Sequence, residues 1–280
     1  MATAVGILHP GQMGSSVAAA ARDAGCAVYW VGAGRSAQSR ARAEQQGLHD
    51  AGDLARLCAR CDVIVSVCPP AAAEEVAAQV LECGFAGLFV DANAIAPARA
   101  QAIAASIQEG GATFVDGGII GPPAWRAGTT WLYLSGPDAD RVAACFAGSL
   151  LATPVLGPQI GKASALKMVY AAYTKGTTAL LAALLATAES LEVRADLATA
   201  WERDRPGFAA QTEKQVCEVT AKAWRFAGEM EEIAATFAAA GLPGGFHLAA
   251  ADLYTRLAPF KDAPATPSLD AVLAALHPLS

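Results

Sequence analysis

At 280 residues, 54% of them apolar, the chain can bury a large core, and its length favours two medium domains over one large one. A formal net charge of −6, with no long basic run and no interleaving of aromatic and basic residues, speaks against a nucleic-acid surface. The longest largely apolar run, 179–188, is far short of the roughly 20 residues that cross a bilayer, and the amino terminus lacks a basic region leading into a hydrophobic core, so the expected setting is the cytoplasm and the expected partner a small molecule.

In chain order, short apolar runs at 4–8, 27–31, 63–68, 88–90, 113–115 and 130–134 predict strands. Alanine-rich helical patterns at 15–24, 71–82 and 97–109 fall between most of them, the alternation of a parallel sheet wrapped by helices. Continuous apolar strands fit burial on both faces. Cys58-Ala-Arg-Cys61 closes a helical pattern that starts at Asp53, and no second pair follows at a metal-ligand spacing, so buried structural thiols are expected there and no metal. Seven scattered cysteines suit a reducing compartment. Near 157–161 the pattern changes. A helical stretch without internal proline runs over 163–191, helices are predicted at 209–240 and 246–257, and a proline-rich link at 259–267 precedes a short helix from Leu269.

The stretch from Gly6 to Gly14 (GILHPGQMG) joins the first predicted strand to the first helix. A glycine-rich turn of this kind aims backbone N–H groups and the positive end of a helix dipole at one spot, which suits a pyrophosphate. In the G-x-G-x-x-G spacing Gly11 admits the phosphates, Gly14 admits close helix packing, and His9 stands where the first glycine is expected. His9, Pro10, Gly11, Gln12, Met13 and Gly14 are therefore candidate cofactor contacts. The fold class that follows is an α/β Rossmann-type domain over 1–160 and an all-α domain over 161–280. A dinucleotide fold of this type usually carries an acid at the end of the second strand, about twenty residues past the glycines, to hold the ribose 2′-hydroxyl. Here that place reads Gly32-Ala-Gly34-Arg35-Ser36, followed by Arg40 and Arg42, with no acid until Glu44. Gly34, Arg35, Ser36 and Arg40 fit a 2′-phosphate, so NADP(H) is the expected cofactor. Arg42 reads as an ordinary solvated helix face. Two further strand ends carry candidates: Cys68-Pro69-Pro70, and Asn93, which either bonds the nicotinamide ribose or substrate or serves as a turn or N-cap residue.

Taken in order these residues resemble the β-hydroxyacid dehydrogenase family, relatives of 3-hydroxyisobutyrate and 6-phosphogluconate dehydrogenases. Gly6 to Gly14 resembles its nucleotide loop, 91–97 its D-x-S-T-x-x-P segment, 116–121 with Gly128 and Thr129 its D-A-P-V-S-G segment, and 161–167 its G-x-G-x-x-x-K segment. The resemblance implies that Lys167 exchanges the proton of the substrate oxygen while hydride moves to or from the nicotinamide, and a partly buried lysine with a pKa drawn toward neutrality suits that role. Tyr170, Ala171 and Thr174 share the helical face of Lys167. Tyr170 either assists the proton transfer or is a core aromatic with its hydroxyl at the surface. The chain departs from the family where substrate is held: Ile120, beside Gly121, replaces a serine, Tyr170 and Ala171 replace paired asparagines, and Ala163 replaces a glycine. A substrate more apolar than a 3-hydroxy acid is expected, either a ketone, an aldehyde or an imine. His247 is a further candidate substrate contact, and Lys261-Asp262 matches the family's terminal K-D-L segment in part. The implied arrangement is a site in the cleft between the domains of a homodimer paired through its helical domain. A dinucleotide-binding sensor or scaffold without catalysis is the alternative function.

Overall fold

The computed structural model describes residues 2–277, and the chain divides into two compact units, one ending at Met168 and the other starting at Val169. The first unit is built on a seven-stranded sheet of β1 (Ala4–Ile7), β2 (Ala27–Trp30), β3 (His49–Asp50), β4 (Val63–Ser66), β5 (Leu88–Asp91), β6 (Thr113–Ile120) and β7 (Trp131–Ser135). The order is β3-β2-β1-β4-β5-β6-β7, with the first six strands parallel and β7 antiparallel to β6. The connections supply α1 (Gln12–Asp23), α2 (Ala37–Gln45), α3 (Leu54–Arg60), α4 (Ala73–Glu82), α5 (Pro97–Glu109) and α6 (Ala139–Ala144), and α7 (Lys162–Ala171) leaves the unit.

Alternation along the strands divides the core in two. Val63, Val65, Leu88 and Val90 point to one face, where they meet Val17, Ala18 and Ala21 of α1 and Val142 of α6. Ile64, Phe89 and Phe114 point to the other, against Leu57 of α3, Val76 and Val80 of α4, and Ile103 and Ile107 of α5. Both faces are covered, which is why the strands read as continuous apolar runs. Cys58 and Cys61 are free thiols in this second cluster, and burial pushes both up to about 12.

The structure departs from the sequence reading at three strands. β3 is two polar, exposed residues at the sheet edge, with no apolar run to announce it. β6 extends to Ile120 because its first half pairs with β5 and its second half with β7. β7 runs antiparallel because 121–130 returns as a loop with no helix to carry a crossover.

The boundary also differs. It falls after Met168 rather than at 157–161, because the first turns of α7 are tied into the sheet unit. Asp116, fully buried on β6, accepts hydrogen bonds from the Ser135 hydroxyl of β7 at 2.9 Å, the Gly161 and Ser164 N–H groups at 3.0 Å each, and the Ser164 hydroxyl at 2.5 Å. Ser135 in turn accepts the Ala163 N–H at 3.0 Å. The carboxylate thus takes up otherwise orphaned donors at the N-terminus of α7, where the helix dipole favours a negative charge. A Cβ on Gly118 would lie 2.6 Å from the Ala163 carbonyl oxygen, so a glycine at this point of β6 is what lets the helix rest directly on the strand.

The second unit is built of helices and their connections, with no strand among its described residues. The predicted helix over 163–191 is interrupted by a π turn, Ala172–Gly176, between α7 and α8 (Thr177–Ser190). There the Lys175 carbonyl accepts the buried Tyr254 hydroxyl at 2.8 Å, and the Lys175 ammonium pairs with Glu229 and lies over the Phe226 ring. α9 (Arg194–Asp204), whose polar sequence gave no apolar stripe, precedes α10 (Phe208–Ala239), α11 (Gly245–Arg256) and α12 (Leu269–Leu276). Leu181, Leu185, Val216, Met230, Ile233, Leu257, Val272 and Leu273 form the buried interior. No helix among the described residues is long and apolar enough to cross a membrane.

Replacing Asp116 with alanine strands several buried donors at once, and the expected loss of unfolding free energy is about 3 kcal/mol or more, with about 1–2 kcal/mol for Ser164→Ala. Urea unfolding checks both; losses below about 0.5 kcal/mol in the two variants would show that the carboxylate is not a structural tie.

Candidate functional site

The sheet order places β1 where the winding reverses, with β2 on one side and β4 on the other, and ligands of such sheets bind outside the carboxyl ends of the strands at that reversal. The chain from β1 into α1 passes through His9, Pro10 and Gly11. The Gly11 N–H bonds the His9 carbonyl at 2.8 Å, and Gly11 is the N-cap of α1 with extended backbone and no side-chain cap on the helix's first N–H groups. A Cβ on Gly11 would meet nothing within 4 Å, whereas one on Gly14 would lie 2.0 Å from the His9 carbonyl oxygen. Gly11 therefore faces open space in front of uncapped N–H donors, and Gly14 is demanded by the close crossing of loop and helix. Both features fit a pyrophosphate lying over Gly11, Gln12 and Met13. His9 takes the place of the first glycine without strain, since Glu192 and Asp262 are the left-handed non-glycine residues among those described. Gln12 and Ser15 also line a concavity with Arg42 and Trp125.

Arg35 follows β2 and turns back to this loop. Its Nη2 donates to the Leu8 carbonyl at 3.2 Å, while its Nε is buried and unpartnered. His9 Nδ1 is likewise buried without a partner, and burial, helped by the charge of Arg35, pushes the imidazole down to about 4. His9 is thus neutral near pH 7 and adds no charge of its own to the loop. Gly34 is left-handed at φ 71°, as the turn requires. Ser36 is the N-cap of α2, accepting the Ser39 N–H at 3.2 Å, and Arg40 Nε donates to the Arg35 carbonyl at 3.3 Å.

At the ends of β4 and β5 the polar groups brace one another. The Asn93 side chain, 2% exposed, accepts the Cys68 N–H at 2.6 Å and donates to Ser66 at 3.2 Å and to Asp91 at 3.0 Å. Its amide is engaged inside the protein, which favours the second of its two readings, the turn residue, and makes Asn93 a brace for the Cys68-Pro69-Pro70 turn. Arg99, paired with Glu74, donates to the Pro70 carbonyl at 3.0 Å and holds the other side of that turn. Burial pushes the Asp91 carboxyl up to about 7 and the Cys68 thiol up to about 11.

Lys167 stands one helical turn past Ser164 on α7, half-buried, and its ammonium donates to the Ile119 carbonyl at 2.7 Å at the end of β6. Ile120 beside it is buried and offers no polar atom beyond its backbone. Gly121 is required by the turn that follows, where φ is 121° and a Cβ would lie 2.2 Å from the Thr129 carbonyl oxygen. In the helical unit Tyr170 is exposed, and Thr174 donates to the Tyr170 carbonyl at 3.2 Å. His247 is buried, 5% exposed, with its ring edge-on to Phe237 and Phe246 at 4.3 and 5.2 Å, and burial lowers its pKa. Lys261 lies over the Trp224 ring. Sequence reasoning gave no role to Asp116 or Arg99; the only available signal was an acid set before two glycines, and an arginine one turn into a helix.

Residues 4–145 match the NAD binding domain of 6-phosphogluconate dehydrogenase, and 188–257 match a domain of unknown function (DUF1932). No curated protein matches the chain in sequence. Among solved structures, a Mycobacterium tuberculosis 3-hydroxyisobutyrate dehydrogenase, described with L-serine, is similar with a TM-score of 0.70 and 20% identity, over 99% of this chain and all (100%) of that one. A conserved protein of unknown function, described as structurally similar to 3-hydroxyacid dehydrogenases, has a TM-score of 0.66 and 25% identity over 91% of this chain and 97% of its own. A Streptomyces aurantiacus imine reductase has a TM-score of 0.55 and 21% identity over 99% and 100% of the two chains. With the glycine loop, the strand order and a sequence match across 4–145 of its 280 residues, the chain belongs to the family of the NAD binding domain of 6-phosphogluconate dehydrogenase and has the NAD(P)-binding oxidoreductase fold shared with hydroxyacid dehydrogenases and imine reductases.

Proposed function

We propose that the protein is an NADP-dependent reductase or dehydrogenase that moves hydride between NADPH and a small carbonyl, hydroxy or imine substrate, with Lys167 as proton donor and acceptor. The observation that carries this reading is the Lys167 ammonium, held 2.7 Å from the Ile119 carbonyl by a helix that Asp116 anchors, in a unit whose glycine loop fits a pyrophosphate. Gly11, Gln12 and Met13 would hold the pyrophosphate, and Arg35, Ser36 and Arg40 the 2′-phosphate. When bound, the dinucleotide supplies or accepts the hydride at its nicotinamide ring. In reduction Lys167 gives a proton to the substrate oxygen or nitrogen as negative charge develops there, and recovers one from water; in oxidation it takes that proton away. The exposed Tyr170 hydroxyl, three residues along the helix, assists. Ile120 supports an apolar ketone, aldehyde or imine, because a buried aliphatic side chain cannot donate to a carboxylate. The protein is read as cytoplasmic, and as a homodimer through the helical unit, where Val169, Tyr173, Leu180, Leu184 and Leu191 are exposed at helical spacings of four and seven.

Paired titrations following tryptophan quenching should show NADPH bound more tightly than NADH, and Arg35→Ala should weaken NADPH by about 10-fold or more with little change for NADH. Equal losses for both cofactors would remove Arg35 as a phosphate ligand. Lys167→Ala is expected to lower turnover of a reducible imine or ketone by about 100-fold or more while cofactor binding persists; unchanged turnover would exclude the lysine, and a wild type without turnover on any carbonyl or imine would favour a sensor. Light scattering at micromolar concentration should give twice the monomer mass, and a monomer would remove the dimer.

A further inference from the structure

The end of β2 carries no acid in sequence, yet the fold brings one there. β3 pairs with β2 in parallel, Trp30 opposite Asp50, so the Asp50 side chain stands beside the residues that leave β2. Its Oδ1 accepts the Gly32 N–H at 3.0 Å and the Gly52 N–H at 2.8 Å, which fixes the carboxylate against the turn. Its Oδ2 makes no hydrogen bond or ion pair among the described residues. A Cβ built on Gly32 would lie 2.3 Å from that Oδ2 and 2.9 Å from Asp50 Cγ. The carboxylate of Asp50 therefore fills the space that a side chain at position 32, two residues beyond β2, would have taken.

We infer that Asp50 is a specificity-determining residue for the dinucleotide: it supplies from β3 the carboxylate that dinucleotide folds usually place at the end of β2, so that the site accepts a ribose 2′-hydroxyl as well as a 2′-phosphate. The inference rests on the nucleotide-binding reading above and deepens it. Oδ2 accepts the 2′-hydroxyl of NAD(H), as an ionised carboxylate is acceptor-only. The same charge opposes a 2′-phosphate, while Arg35 and Arg40, from the turn and from α2, attract it. The two cofactors are thus weighed against each other by one carboxylate and two guanidinium groups on neighbouring segments. Gly32 belongs to the same device, since any side chain there would displace the carboxylate.

The test is the ratio of NADH to NADPH dissociation constants, measured by fluorescence at one ionic strength for the wild type, Asp50→Asn and Gly32→Ala. Asparagine keeps an acceptor for the Gly32 and Gly52 N–H groups but replaces Oδ2 with a neutral donor; alanine at 32 leaves Asp50 present and pushes its carboxylate aside. Both variants should shift the ratio about tenfold toward NADPH, with NADH weakened and NADPH unchanged or tightened. If Asp50→Asn does not fold, Gly32→Ala decides. Ratios within about twofold of the wild type, or a wild type that binds NADPH with no measurable affinity for NADH, overturn the assignment of Asp50 alone. A wild type that binds neither dinucleotide overturns the nucleotide reading, and this assignment with it.

Discussion

The buried carboxylate of Asp116 is the tie on which the rest of the arrangement depends. A fully desolvated carboxylate would be very costly without partners, and here it is offered four hydrogen bonds from a strand hydroxyl, two backbone N–H groups and a helix hydroxyl. Because those donors belong to β7 and to the N-terminal turn of α7, satisfying the charge fixes where that helix starts and at what rotation it leaves the sheet. Lys167 is carried on the next turn of the same helix, and the backbone of Gly118 passes directly beneath it, 3.1 Å from the Lys167 Cβ to where a Cβ of its own would be. The position of the Lys167 ammonium is thus set by an interaction with which it shares no atom.

The nucleotide end of the unit follows a different logic. Its donors are backbone N–H groups left uncapped at the start of α1, and its constraint is steric: open space at Gly11, no space at Gly14. Several polar groups around this surface also brace it. Asn93 and Arg99 hold the turn after β4, Ser36 caps α2, and Asp50 holds the turn after β2. Two buried nitrogens, His9 Nδ1 and Arg35 Nε, stand without partners beside the loop.

Much of this was legible in the sequence. The strands β1, β2, β4, β5 and β7 were readable because two-sided burial demands continuous apolar runs, and α5 was predicted over its observed length because Pro97 marks its first turn and glycines its end. The glycine loop was readable because turn chemistry is local. β3 was not, since two exposed polar residues at an edge carry no periodic signal. α9 lacked an apolar stripe. Asn93 reads as either a ligand contact or a turn residue and His247 as a substrate contact, and only packing shows one bonded within a network and the other beside two phenylalanine rings.

By itself the sequence determined the class of fold, because the alternation of apolar runs and helical patterns records two-sided burial along the chain, and the glycine turn between β1 and α1, because turn chemistry is encoded within a few neighbouring residues. Tertiary structure alone decided that Asp116 would anchor that helix from 45 to 48 residues away, and that Asp50 would stand in the space left by Gly32 from 18 residues away. The physical reason is the same in both cases: a carboxylate takes its meaning from the donors that surround it, and those are assembled by strand pairing and helix docking rather than by order along the chain.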